Sequence, residues 1–302
     1  MTSIYHNPVL LHESIDALQI KKDGVYVDVT FGGGGHAQAI LEKLGDKGRL
    51  FAFDQDEDAI KNIIKDKRLT LIRHNYRYLK NFLRYYNALP VDGILADLGI
   101  SSYQINEAER GFSLRFNASL DMRMNRESLL TAADVVNTYS ENELVKIFSS
   151  YGEVFNAKTL ARKITSSRKE KKIKDINQFR EAINDCVDKQ NENQYYAKVF
   201  QALRIEVNDE LESLKSMLAQ SAQVLSSKGR LVVISYHSLE DRLVKNIISK
   251  GKFEGEIEKD LFGNASDSPF SAINKKPIEA TEEETKRNPR ARSAKLRIAQ
   301  RN

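Results

Sequence analysis

The sequence predicts an α/β protein: a parallel sheet of strands alternating with helices, interrupted by a helical insertion. Three observations carry this. Short β-branched or apolar runs alternate with helically spaced ones over the first hundred residues. Between Pro90 and Pro269 there is no proline, and between Gly111 and Gly229 the only glycine is Gly152, so the usual breakers are missing from the middle. A strong strand at residues 230–236 then resumes the first pattern.

Residues 25–31 read as a β-branched strand that runs into Gly32–Gly35. Ile40, Leu41 and Leu44 give residues 37–44 a helical face that stops near Gly45. Strand 49–53 precedes a helix at 59–64, and strand 69–72 precedes a helix at 79–86. Residues 91–98 form a fourth strand, whose nearly continuous apolar stretch suits burial on both faces. The alternation then stops. The expected division is a sheet domain at 1–104, a helical insertion at 105–197, and the rest of the sheet domain at 198–302. One long helix is expected to carry Leu203, Val207, Leu211, Leu214, Leu218 and Leu225 on one face and to end at Gly229. Strand 230–236 and helix 239–248 follow, then strands at 271–278 and 294–299 joined by a charged loop at 282–287.

At 302 residues the chain suits two domains, or one large domain with an insertion. A hydrophobic fraction of 41% excludes disorder for its bulk. No apolar run is long enough to span a membrane. Residues 1–11 lack the basic segment of a secretory signal. Cys186 is the only cysteine, so no internal disulfide can form, and a cytoplasmic protein is expected.

The loop Gly32-Gly33-Gly34-Gly35-His36-Ala37 sits between a strand and a helix and matches G-x-G-x-x-[G/A]. Asp54 lies twenty residues after Gly34, at the end of the next strand, where a carboxylate can take ribose hydroxyls. No Gly-Lys-Ser/Thr follows, which argues against a phosphate loop. The loop alone does not choose between a dinucleotide and S-adenosylmethionine. Asp28 opens the segment in the manner of methyltransferases, although Thr30 stands where the usual first glycine would be. Asp97, at the end of the fourth strand, is placed to touch a cofactor or substrate, because ligands bind at the carboxyl ends of strands in open sheets. His237 follows the fifth strand at the same edge, beside a Ser238/Asp241 pair that resembles a helix cap.

The five histidines and single cysteine have no metal-ligand spacing, and no nucleophile elbow occurs, so neither a metal nor a covalent nucleophile is expected. The net charge is +5, but the basic residues cluster. Residues 158–174 hold eight Lys or Arg against Glu170, and residues 286–302 hold seven and no acid. Such polarity suits a nucleic-acid face. Arg290, Arg292 and Arg297 are expected to reach RNA phosphates, and His237 the substrate RNA.

Several strings together resemble one family. They are YHNPVLLHE at 5–13, YVDVTFGGGGH at 26–36, DGILADLGISSYQ at 92–104, ERGF at 109–112 and LDMRM at 120–124. FQALRIEVNDEL at 200–211, GRLVVISYHSLEDR at 229–242 and NPRARSAKLRI at 288–298 complete the set. The chain is similar from end to end to the ribosomal small-subunit methyltransferase H family, also called MraW. The resemblance implies a Rossmann-like class I methyltransferase sheet with an inserted helical domain for RNA recognition. It implies S-adenosyl-L-methionine as cofactor and the N4 amine of a decoding-centre (P-site) cytidine in 16S ribosomal RNA, within the small ribosomal subunit, as substrate. It places cofactor contacts on Gly34, Gly35, His36, Asp54, Tyr76 (where the family often has Phe), Asp97 and Gln104. The Asp-Pro-Pro-aromatic motif of many amine methyltransferases is replaced here by Asp97-Leu98-Gly99-Ile100, which leaves Asp97 as the expected acceptor at the reacting amine. Two other readings use the same residues: an NAD-dependent dehydrogenase, from the glycine loop and Asp54, and a non-catalytic RNA-binding assembly factor, from the basic clusters.

Overall fold

A computed structural model describes residues 8–187, 189–255 and 268–302, so Tyr5–Asn7 of the first family string lie outside the described residues. The chain forms two compact units, Met1–Gly99 with Leu211–Asn302, and Ile100–Glu210. The unit between the sheet halves therefore runs from 100 to 210, where the sequence suggested 105 to 197.

The first unit is built on a sheet of eight strands among the described residues: β1 (Val25–Asp28), β2 (Arg49–Phe53), β3 (Leu69–Ile72), β4 (Val91–Asp97), β5 (Leu225–Ser235), β6 (Phe270–Ala272), β7 (Ile278–Glu279) and β8 (Lys295–Arg301). Their order is β3-β2-β1-β4-β5-β8-β6, with β7 also on β8. The first five are parallel, and β8 runs antiparallel to β5. Alternation sends Tyr26, Leu50, Leu95 and Val232 to one face, against α1 (Leu11–Leu18) and α2 (Gly35–Lys43). Val27, Phe51, Ile94 and Val233 go to the other face, with Leu83 of α3 (Leu79–Tyr85).

The second unit contains α4 (Ser102–Asn106), α5 (Ala132–Thr138), α6 (Glu141–Ser150), α7 (Ala157–Glu170), α8 (Ile176–Ile183) and α9 (Glu192–Asn208). Capping boxes start α4, α5 and α6 at Ser101, Thr131 and Ser140. Its core gathers Leu144, Phe148, Leu160, Phe179 and Leu203.

Past this unit, α10 (Glu210–Val224), α11 (Ser238–Lys250) and α12 (Glu282–Arg287) complete the helices. The single long helix expected across 203–225 is two, because Asp209 turns left-handed at φ 48 and breaks the ladder between α9 and α10. Gly229 does not end a helix; it lies inside β5, where an added Cβ would come within 2.8 Å of the Ser226 carbonyl oxygen. The segment after Asp56 is a 3-10 turn, Glu57–Asn62, rather than an α-helix. The charged residues 282–287 form α12, capped by Thr281, instead of a loop. Residues 271–278 are split between β6 and β7. Among the described residues no helix is long and apolar enough to cross a membrane.

Candidate active site

The carboxyl ends of β1, β2, β4 and β5 bring four predicted site features to one edge of the sheet. β1 hands over to the glycine loop through Val29 and Phe31, whose N–H groups donate to the carbonyls of Leu95 and Phe53. Gly34 then turns at φ 77 to cap α2, a conformation open to glycine and costly for other residues. A Cβ on Gly35 would collide with the Pro8 ring, so the loop and the N-terminal segment pack backbone to ring.

Asp54 fastens this loop from below. Its Oδ2 accepts the Gly32 N–H at 2.8 Å, and its Oδ1 accepts the Asp56 N–H at 2.8 Å. The carboxylate remains partly exposed at this edge of the sheet.

Thr30 accounts for its own departure from the glycine pattern. Its Oγ1 accepts the Asp97 N–H at 2.7 Å, bridging the ends of β1 and β4, which a glycine could not do. Asp28, 1% exposed, accepts from the Thr30 N–H at 3.0 Å through Oδ1, while its Oδ2 has no hydrogen-bond partner. Burial first, and the nearby Asp97 and Asp54 charges next, push its carboxyl up to about 6, against the pull of His36 and the Thr30 N–H.

His36, 5% exposed, packs its ring under Asp97. Its Nε2 lies 3.2 Å from the Val9 carbonyl oxygen, which can only accept, so Nε2 carries the proton. Burial lowers its pKa and keeps it neutral. Its Nδ1 lone pair therefore faces Asp97 Oδ2 at 3.7 Å. The other oxygen, Oδ1, accepts the Tyr236 hydroxyl proton at 2.6 Å. Burial raises the Asp97 carboxyl to about 7; the Tyr236 hydrogen bond opposes the rise and Glu240 adds to it. Burial and Asp97 lift the Tyr236 phenol well above its ordinary value.

Tyr76 lies partly buried in a 3-10 turn after β3, packed against the hydrophobic core on the α3 face of the sheet. Gln104 belongs to the other unit, where its amide oxygen accepts the Ser101 N–H at 3.0 Å in the α4 capping box. His237 caps α11: its Nδ1 accepts the Glu240 N–H at 3.4 Å and Glu240 Oε2 accepts the Tyr236 N–H at 2.9 Å. The capping pair is thus His237 and Glu240, one residue earlier than Ser238 and Asp241. Asp241 is engaged elsewhere. It holds Arg297 in a two-pronged pair at 2.6 and 3.0 Å, so Arg297, 8% exposed, is a sheet brace and not the phosphate contact expected of it. Arg290 is half-buried in the turn Pro289–Ser293, and Arg292 is exposed there. Sequence reasoning missed Thr30 and Tyr236; the one available signal was that each follows a strand end that carries a singled-out residue.

The MraW methylase family profile matches residues 3–302. A ribosomal RNA small subunit methyltransferase H of Bacteroides fragilis is 56% identical over 296 residues, covering 98% of this chain and 97% of the relative. The same-named protein of Phocaeicola vulgatus is 56% identical over 98% of this chain and 97% of its own. That of Flavobacterium johnsoniae is 54% identical over 99% and 98%. With the family profile spanning nearly every residue and relatives of this similarity matching end to end, the chain belongs to the MraW methylase family.

Proposed function

We propose that this chain is a small-subunit ribosomal RNA methyltransferase that transfers a methyl group from S-adenosyl-L-methionine to the N4 amine of a P-site cytidine in 16S ribosomal RNA. The family is a methylase family, and relatives named as ribosomal RNA small subunit methyltransferases match over the whole chain, which disfavours both the dehydrogenase and the non-catalytic assembly factor. The observation that carries the chemistry is Asp97: a mostly buried carboxylate at the end of β4, with one oxygen held by Tyr236 and the other facing a lone pair.

The residues fit the cofactor. The buried Asp28 Oδ2 lacks a hydrogen-bond donor, and a cationic ligand group nearby would compensate it. Asp54 would take the ribose hydroxyls while still fastening Gly32, and Gly34, Gly35 and His36 would line the loop, with Tyr76 and Gln104 as further contacts. The cofactor supplies a methyl group on a sulfonium, a leaving group that departs as a neutral thioether. The exocyclic amine is a weak nucleophile because its lone pair is delocalised into the ring. Asp97 would accept from its N–H, align the lone pair on the methyl carbon, and take the proton as the N–C bond forms; positioning of this kind can supply several kcal/mol. The target base must be single-stranded or flipped out to reach the site. Exposed lysines of residues 158–174, together with Arg290, Arg292 and His237, would meet the RNA of the small subunit, with the helical insertion as its recognition domain. This substrate would put the enzyme in the cytoplasm.

The test is transfer of labelled methyl to small subunits or free 16S RNA, followed by identification of the modified nucleoside. Asp97→Asn keeps the shape and loses the acceptor, so turnover should fall on the order of 10²–10⁴-fold while the cofactor Kd moves much less. A change confined to Kd would make Asp97 a cofactor ligand only.

A further inference from the structure

Asp97 has two inequivalent oxygens, and the inequivalence comes from a residue that no family string marks as functional. Oδ1 accepts the Tyr236 hydroxyl at 2.6 Å, whereas Oδ2 faces His36 Nδ1 at 3.7 Å. The Tyr236 backbone N–H donates to Glu240 Oε2 at 2.9 Å, and the ring's Cδ2 lies at van der Waals distance, 3.4 Å, from where a Cβ on Gly99 would stand. Gly99 itself sits at φ +92, so the chain leaves β4 through a left-handed turn that favours glycine.

We infer that Tyr236 is a positioning residue for the methyl transfer: its hydroxyl holds Oδ1 of Asp97 and so leaves Oδ2 as the oxygen that takes the amine proton. The inference rests on the reading of Asp97 as the acceptor. The balance is as follows. The amine lone pair forms the N–CH₃ bond, the C–S bond breaks with its electrons on sulfur, and the amine proton passes to Oδ2. There it meets the Nδ1 lone pair of His36, which the Nε2–H to Val9 hydrogen bond keeps free of a proton. Tyr236 does not itself take the proton, since its own proton is committed to Oδ1.

The hydroxyl also favours the ionised carboxylate over the protonated one. The groups facing Asp97 are Tyr236, Glu240 on α11, His36 on α2 and Asp28 on β1; Glu284 on α12 faces Tyr236. Of these, Glu240 opposes ionisation of Asp97, His36 is held neutral, and Tyr236 is the one that supports it. With Asp97 raised to about 7, loss of the hydroxyl should raise it further.

The experiment is kcat against pH for methyl transfer to small subunits by the full chain, for the unaltered protein, Tyr236→Phe, and a variant with difluorotyrosine at 236. In Tyr236→Phe the acid limb should move up by about one pH unit, so kcat falls about fivefold near pH 7 and recovers toward pH 9, with KM for the cofactor unchanged. Difluorotyrosine is a stronger donor of the same shape and should move the limb down. It also keeps the test open if Tyr236→Phe does not fold. A loss of kcat uniform across pH, or limbs that do not move in opposite directions, overturns the inference while leaving the methyltransferase reading intact. No transfer by the unaltered protein overturns both.

Discussion

Residues 158–174 and 286–302 look alike in composition, each a basic run with one acid or none, yet they have opposite fates. In the first, Lys158, Lys169, Lys171, Lys172 and Lys174 stay exposed on or just after α7, and only a few partners are local: Arg168 donates to the Val136 carbonyl and Lys163 pairs with Asp185. In the second, Leu296 and Ile298 alternate with the charges, and that alternation pulls the segment into the sheet as β8. Arg297 then pairs with Asp241, and Arg301 donates to the carbonyls of Ala222 and Pro269. A count of like charges does not say whether a segment is a binding face. The period of the apolar residues between them says whether it joins the sheet.

Three variants probe this contrast. Arg297→Ala should have the largest effect, because it leaves Asp241 mostly buried and unpaired, at a cost of about 3 kcal/mol. Thermal unfolding should then shift down by roughly 6–12 °C with no change in the salt dependence of RNA binding. A flattened salt slope at unchanged Tm would put Arg297 back among the RNA contacts. The triple change of Lys171, Lys172 and Lys174 to Ser should do the reverse, leaving Tm in place and flattening the log-affinity against log-salt slope by about 2 on single strands if all three touch phosphate. Neutralising Arg290 and Arg292 together comes last, at roughly 1.5 units of slope. Because Arg290 is half-buried, a split result here, with part slope and part Tm, would mark the boundary between the two behaviours.

The sheet was legible because its strands are apolar runs bounded by glycine and charge, and because Gly34 and Asp54 stand at the spacing their geometry requires. The α9/α10 break was not, since Asp209 carries neither proline nor glycine and adopts a left-handed turn without a local signal. Asp97 could be placed from topology alone. Its partner Tyr236, 139 residues away, could not, because only the adjacency of β4 and β5 brings them together. The same holds for Arg297 and Asp241: the absence of acids near the arginine in sequence says nothing about acids 56 residues upstream. The position of Asp54 at the end of the second strand was legible, but its hold on the Gly32 N–H requires knowing how the loop folds back.

The second unit separates β4 from β5, neighbours in the sheet, and this sets the order in which the protein can be completed during synthesis. Roughly 130 residues lie between the end of β4 and the start of β5, and at about 5–20 residues per second they take on the order of 10 s to emerge from the ribosome. Through that interval β4 presents Gly93-Ile94-Leu95-Ala96 as a bare parallel edge, the kind of surface that pairs with other chains. Among the described residues, the core around Phe148 and Leu203 draws on none beyond residue 207, so it can close first. Asp97 acquires its Tyr236 partner only when β5 arrives, and Arg297 acquires Asp241 only when β8 follows, so a nascent chain can hold a finished helical unit while the edge around Asp97 is still unbuilt.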